Sequence, residues 1–516
     1  MAKNLYFSRD SKLYVEFDGA VWQVPVLDGF SFSQSTNASE ITLSEMQNSS
    51  GLSRRGRRVF TDSLAPAEWS FSTYVRPYLD NSQHSAVEAV LWALMAGADT
   101  YTGTEAGAIA TLNGTITTNI DGGVAGTYVV TPTTNSVAGT GAVLQIVVTG
   151  SAPANMAAVT VLNPGTGYLA GDTLTVDGDL LGDTTGNFVV TIATVTPATR
   201  DFARVTNIDT NGSASGKVFT SGASNADLTF AQSNRSTLGT ANFYFVMATD
   251  TAYPMVYKLT SAAINEASID FEVDGIATIN WSGNAATIVD MQSAGNVTVG
   301  GTPTAATDKV WINTTGGAYI FNVAVGSTPA WSAAIDTAVT STNTFIRNRL
   351  TQLLVDSADT TTFPGVGSSG VYNMTITGGN ITISNNITYL VPEELGKVNI
   401  PIEHVTGARS ITGNFTCYLT FETTTGQNGG TSSDFFNDLT SSDGLKKVVN
   451  DFDVTFQIGG STSSTPRLYV NIPKCHIEVP NHAIEDVIAI ETNFSAYTTD
   501  FGVANEVSLQ YYGVTV

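Results

Sequence analysis

Between residues 12 and 33, and again from 67 to 75, large apolar side chains fall on every second position. "KLYVEF", "AVWQVPVL" and "FSFSQS" keep that period, and "EWSFSTYV" sets Trp69, Phe71 and Thr73 against Ser70, Ser72 and Tyr74. Period two is the spacing of a half-buried strand, because successive side chains leave an extended backbone on opposite faces. In "HSAVEAVLWALMAG" the period changes: Val87, Leu91 and Leu94 share a helical face and Gly97 makes a stop, so the pattern predicts a helix over 84–97. The clearest alternation lies in "MVYKLTSAAINEASIDFEVDGIATINWSG", with Ile269, Phe271 and Val273 on one side and Ser268, Asp270, Glu272 and Asp274 on the other. One side belongs in a core and the other faces water.

The pattern changes twice along the chain. From about 100 to 238, Gly/Thr/Ala/Asn stretches such as "NGTITTNIDGGVAGTYVV" predict short strands between many turns, a separate all-β module. Residues 292–342 read as a smaller β insert, with two strands around Gly316 and Gly317 and with Trp311 and Trp331 as packing anchors. Beyond 343 the earlier pattern restarts. "FSTYV" at 71–75 matches "FTCYL" at 415–419, and "GFSFSQSTNASEITL" at 29–43 resembles "GNITISNNITYL" at 379–390. Ile264, Glu272, Trp281 and Ser282 fall opposite Ile477, Glu485, Phe494 and Ser495 at one constant offset, and each copy has a helix pattern, near 84–97 and near 434–449. Recurrence of order and spacing predicts two related β modules, the first carrying the insertion.

Composition narrows the function. Charged residues make up 13% of the 516-residue chain, and 45 Asp and Glu against 22 Lys and Arg leave a net charge of −23. Phosphate backbones are held by Lys and Arg that displace counterions, so such a chain is a poor grip for DNA but a suitable surface for DNA to slide past. The two cysteines, Cys417 and Cys475, form no CxxC pair and fit a reducing compartment. The most apolar window, "AVLWALMAGA" at 89–98, is far short of the roughly 20 residues of a membrane span, and the N-terminal stretch has no apolar signal core, so no membrane association is expected.

Catalytic and cofactor motifs are sparse. His84, His404, His476 and His482 stand in no HExxH frame, and Cys475 and His476, adjacent on an alternating strand, point to opposite faces. "GTGAVL" and similar Gly pairs lack the GxGxxG and GxxxxGK[ST] frames. No enzyme, metal or cofactor is expected.

With these stretches assembled, the chain resembles the bacteriophage tail tube (major tail) proteins, of the siphophage kind in which one chain carries two tube modules. The resemblance rests on "FTDSLAPAEWSFSTYVRPY" at 60–78, "INEASIDFEVDGIATINWSGN" at 264–284, "TFIRNRLTQLLVD" at 344–356, "ITGGNITISNNITYL" at 376–390 and "IPIEHVTGARSITGNFTCYL" at 400–419. "PGTGYLAGDTLTV" at 164–176 is similar to a turn-strand unit of modular phage tail and fibre proteins. The resemblance implies a mainly β fold: two tandem tail-tube β-sandwich or barrel modules, each with a short helix, plus inserted all-β decoration domains. The first module then comprises 1–99 with 239–291 and the second 343–516, with 100–238 and 292–342 as inserts, the larger projecting away from a clear channel.

It further implies a structural virion protein, made in the host cytoplasm, whose copies form stacked rings. Trimeric pseudo-sixfold rings are expected first and hexamers second. Its partners would be itself, a tape-measure protein, and tail terminator and tail-tip proteins, with DNA passing through without specific binding. Alternative readings are a baseplate or tail-tip tube protein and a carbohydrate-binding adhesin or fibre protein.

Two charge features bear on this. "RRGRR" puts Arg54, Arg55, Arg57 and Arg58 on the connection between two tube-like strands, where the resemblance implies contacts with a neighbouring subunit or ring through guanidinium forks. Asp270, Glu272, Asp274, Glu478 and Glu485 are candidate acidic channel-lining residues, with Asp486 and Glu491 adding to the same sign. An ordinary solvated outer face has the same pattern.

Overall fold

The computed structural model describes residues 6–515 except 9–10, 18–19, 42–57, 81–82, 98–99, 102–106, 114–118, 121–123, 135–138, 151–153, 169–170, 183–185, 198–206, 210–216, 231–237, 248–253, 293–296, 300–308, 314–319, 326–327, 334–340, 392–399, 422–429, 485 and 501–502. The protein is mainly β and divides into two compact units, residues 1–101 with 207–516, and residues 102–206.

In the larger unit the chain makes β1 (Lys12–Phe17), β2 (Ala20–Val24), β3 (Ser31–Ser33), a hairpin of β4 (Thr36–Ile41) and β5 (Arg58–Leu64), β6 (Ala67–Tyr74) and helix α1 (Ala89–Met95). It resumes with β7 (Ala241–Met247), the long β8 (Met255–Glu272), β9 (Thr278–Ala285) and β10 (Thr287–Asp290). A second run follows: β11 (Gln352–Asp356), β12 (Val371–Met374), β13 (Ile376–Ser384), a hairpin of β14 (Thr388–Leu390) and β15 (Glu403–Val405), and β16 (Ser410–Tyr418). Helix α2 (Ser432–Thr440), β17 (Phe452–Ile458), β18 (Arg467–Ile477), β19 (Asn481–Ile484), β20 (Ile488–Ala496) and β21 (Ser508–Tyr512) complete it.

The neighbours repeat as faithfully as the order. In the first run β2, β1, β7, the first part of β8 and β10 pair in that sequence, and β3, β6, β9 and the second part of β8 form another. In the second run β12, β11, β17, β18 and β21 match the former, and β13, β16, β20 and β18–β19 the latter. The runs join where β8 pairs with β13, from Glu266 opposite Ser384 to Glu272 opposite Gly378.

Apolar faces of these strands close on one another. Phe243 of β7 meets Trp69 of β6 edge-on at 4.9 Å, and Phe456 of β17 meets Phe494 of β20 at 5.4 Å and Phe415 of β16 at 6.4 Å. Burying an aromatic or large aliphatic side chain is worth roughly 1.5–3 kcal/mol, so these clusters fix which strand face turns inward. Each run adds one helix to its core. Trp92 of α1 packs on Trp281 of β9 at 4.8 Å, and Trp281 donates its indole hydrogen to Thr73 Oγ1 at 2.9 Å. In α2, Phe435 meets Tyr372 and Phe452, and Thr431 with Asp434 forms a reciprocal capping box.

Several expectations shift. The helix expected over 84–97 spans Ala89–Met95, because Gln83–Ala86 pairs as a strand with Pro77–Asp80. The one expected near 434–449 spans Ser432–Thr440, since its cap lies at Thr431, and Gly444–Lys446 is a separate 3-10 turn. The smaller unit, 102–206, is shorter than the 100–238 module expected from composition. Asn207–Asp209, Lys217–Thr220 and Ala226–Thr229 instead pair in succession, the last with β21. In the 292–342 segment, a four-stranded sheet from Val297 to Ala333 buries Val310 and Ile312 among Tyr14, Val21, Tyr244 and Val246, inside the core of the first run.

The smaller unit has its own core. One sheet orders Gly107–Leu112, Phe188–Pro197, Thr173–Val176 and Thr133–Thr134; another orders Asn119–Ile120, Ala154–Thr166, Thr140–Thr149 and Gly126–Val130. Leu144, Ile146, Leu174, Val176 and Ile192 fill it, and Tyr168, in the "GTGY" turn, accepts the Ala142 N–H at 3.3 Å. Gly165 there has φ +60, and a Cβ would sit 2.3 Å from the Thr140 carbonyl oxygen, which excludes any other residue.

Candidate functional site

Because the two runs join at β8 and β13, eight strands stand side by side in the order β3, β6, β9, β8, β13, β16, β20 and the β18–β19 edge. Period two sorts their residues onto two faces. The inward face carries Trp69, Phe71, Ile279, Trp281, Ile269, Phe271, Ile381, Ile383, Ile411, Phe415, Ile490 and Phe494, all buried.

The outward face is polar row by row. Directly opposed positions read Ser72, Asn280, Ser268, Thr382, Thr412, Ser495 and His476 across seven strands. The row on one side reads Tyr74, Thr278, Asp270, Asn380, Asn414 and Asn493, and beyond it lie Glu272, Gly378, Thr416 and Glu491. On the other side run Ser31, Ser70, Ser282, Glu266, Ser384 and Ser410, and then Ser33, Glu68 and Asn284. None of these positions is Lys or Arg, and the charges among them are Glu68, Glu266, Asp270, Glu272 and Glu491.

Side chains on this face bond largely to each other. Ser72 donates to Asn280 Oδ1 at 2.5 Å, Asn280 donates to Asp270, Ser268 donates to Asp270 at 3.4 Å, and Ser268 and Thr382 hydroxyls meet at 3.1 Å. That chain of contacts crosses four strands and both runs. Burial pushes the Asp270 carboxyl above its usual range; the hydrogen bond from Ser268 pulls it back, the charge of Glu272 adds to the rise, and the bond from Asn280 opposes it. A wide, open recess of about 790 Å³ lies at this end, lined by Asp270, Glu272, Asp274, Asn380, Asn414 and Thr416 among others.

The structure places the sequence candidates differently. Asp270 and Glu272 stand on the polar face. Asp274 lies past the end of β8, in the turn at Gly275 (φ +130), and is ion-paired at the surface with Arg349 at 2.5 Å. Glu478 lies just past β18 and accepts from Asn493 Nδ2 at 3.0 Å, which ties its carboxylate to the face. Glu485 and Arg54, Arg55 and Arg57 lie outside the described residues, while Arg58 begins β5, opposite Ile41. Glu266 and Glu68, not singled out beforehand, are on the face; Glu266 was within reach of the same alternation that marked Ser268.

The histidines serve as packing and hydrogen-bonding groups. His84 Nδ1 accepts the Gly513 N–H at 2.8 Å, His404 Nε2 accepts the Leu238 N–H at 2.9 Å, and His482 lies edge-on to Phe436 at 4.5 Å. Cys475 is buried while His476 lies on the polar face. Among the described residues no group of three or more His, Cys, Asp or Glu converges as metal ligands would.

Chemically, this is a broad, negatively charged, hydroxyl- and amide-rich sheet surface with no Lys or Arg among its opposed described positions, a poor grip for a polyanion. No protein-family model matches the chain. It is similar to Tail tube protein pb6 of Escherichia phage T5, with 26% identity over 249 residues, 48% of this chain and 44% of that protein. The aligned part thus spans less than half the length of the relative.

Proposed function

We propose that this chain is a structural subunit of a phage tail tube, in which the two runs of strands are tandem tube modules. Copies join through their sheets into a closed ring, rings stack, and the polar face lines the channel that first encloses a tape-measure protein and later conducts DNA. The observation that carries this is the eight-stranded polar face with acidic residues and no Lys or Arg among its opposed positions. The similarity to a phage tail tube protein supports it.

Three copies per ring follow from two modules per chain, since each chain then supplies two of six quasi-equivalent positions. The β4–β5 hairpin, whose second strand begins at Arg58 and whose strands flank Arg54, Arg55 and Arg57 in the sequence, is assigned to contacts between rings. Negative-stain microscopy of the purified full chain tests the reading: tubes with a stained channel and six lobes around the ring are expected. Only monomers, with no rings at any concentration, would sink it. In the same assay, replacing the four arginines with Glu is expected to leave rings but shorten tubes; wild-type tube lengths would remove their stacking role.

A further inference from the structure

We infer that one copy joins the next by pairing β3 with β19 in a single register, Ser33 opposite Asn481 and Ser31 opposite Ala483. This rests on the ring reading above and specifies its joint. Among the described residues β3 has a strand on one side only, β6, and β19 has only β20. The edge begins after Ile477, whose N–H and C=O are taken by the Asn450 side chain at 2.9 and 2.6 Å.

The chain contains its own template for the joint. β3 occupies in the first run the place of β13 in the second, and the second part of β8 that of β18–β19. Strand registers fix the correspondence: Ser31 is level with Asn380 and Ser33 with Thr382, because β3–β6 and β13–β16 superpose when Phe71 is set on Phe415. Ile264 is level with Ile477 by the same reasoning, which sets Ser268 on Asn481 and Phe271 on Ile484. At the internal junction Ser268 faces Thr382 with hydroxyls 3.1 Å apart, and Phe271 faces Gly379. Carried to the open edges, Asn481 faces Ser33 on the polar face, and Ile484 faces Phe30 on the apolar one.

Exposure and volume fit this joint. All four residues of β19 are exposed, and Ile484 is 79% exposed, whereas its counterpart Phe271 is 2% exposed and lies 5.6 Å from Phe456. The counterpart of Phe456 in the first run is Phe245, which already stacks on Phe30 at 5.2 Å and meets Phe32 at 4.8 Å. At the internal junction a large side chain faces glycine; at the open edges a medium one faces phenylalanine, so the filled space is shared out differently. An exposed edge strand with an open hydrogen-bonding side and a bare isoleucine is a pairing site.

The test uses the full chain carrying Ser33→Cys and Asn481→Cys; native Cys417 and Cys475 are buried and do not compete. A disulfide needs Cα atoms about 4.4–6.8 Å apart, met by directly opposed residues and missed by diagonal ones. Under mild oxidation this pair is expected to give about tenfold more covalent closed oligomer on a non-reducing gel than Ser33→Cys with Ala483→Cys, two residues out of register. Rings in the microscope with no cross-link, or with equal cross-linking in both pairs, would overturn the register while leaving the tube reading standing. No rings from the unsubstituted protein would overturn both. Separately, I484D is expected to abolish rings while melting as the wild type does and I484V to retain them; rings from I484D count against the joint.

Discussion

Glu88 is the most unusual single residue. It precedes α1, is fully buried, and burial pushes its carboxyl up to about 7, against its own backbone N–H, the nearby Tyr511 hydroxyl, the hydrogen bond from the Arg76 N–H and the charge of Arg76. A carboxyl whose folded value exceeds its unfolded value contributes stability that is complete below about 4.5 and lost as pH rises to about 7. Glu88→Gln removes the group that must ionise. The variant should therefore hold its stability from pH 5 to 8, where the wild type declines by on the order of 3 kcal/mol. Arg76 keeps its bonds to Thr344 Oγ1 and Ser341 O, both 3.0 Å, and its stacking on Phe345. Equal pH slopes in urea titrations of the two proteins would discount Glu88.

At the scale of strands, the two runs fill equivalent space in opposite ways. In the first, Trp69 of β6 faces Gly283 of β9; in the second, Gly413 of β16 faces Phe494 of β20. A Cβ on Gly413 would lie 2.2 Å from the Asn380 carbonyl oxygen and 2.6 Å from the Phe494 ring. Gly413→Ala is expected to cost about 1–3 kcal/mol by overpacking, read as a lower denaturant midpoint; an unchanged midpoint would show that the strands can part freely.

This exchange also marks how far the sequence could be read. Alternation exposed β6, β8 and β16, and "FSTYV" over "FTCYL" is the correspondence that the registers give. Trp281 over Phe494 is not, because the β19–β20 turn is two residues tighter than the β8–β9 turn and sets Phe494 level with Gly283. Ser268, Asp270 and Glu272 were legible as one polar side, but the union of eight such sides was not, since long-range pairing leaves no local signal. In sequence the strands Asn207–Asp209, Lys217–Thr220 and Ala226–Thr229 read as part of the inserted unit, because Thr, Gly and Asn look alike in a sheet edge and in a separate domain.

For the whole molecule, the lack of Lys and Arg at the opposed described positions of the polar face is the property most open to experiment. Thr382→Lys with Thr412→Lys places two cations on adjacent strands in the middle row. Virions carrying it should assemble tubes but release DNA more slowly, with recovery at higher salt as screening weakens the new contacts. Release at the wild-type rate in low salt would argue that this face does not meet DNA.

The Trp69–Gly283 and Gly413–Phe494 arrangement also bears on how the chain avoids folding onto the wrong half. Two runs with the same strand order invite exchange, β6 with β20 or β16 with β9. The first swap sets Trp69 against Phe494, two aromatic rings in the space of one; the second sets glycine against glycine and leaves a void. Each mismatch is penalised by overpacking or by a cavity. Two runs that share a strand order are thereby kept from trading strands, within one chain and between neighbours folding side by side.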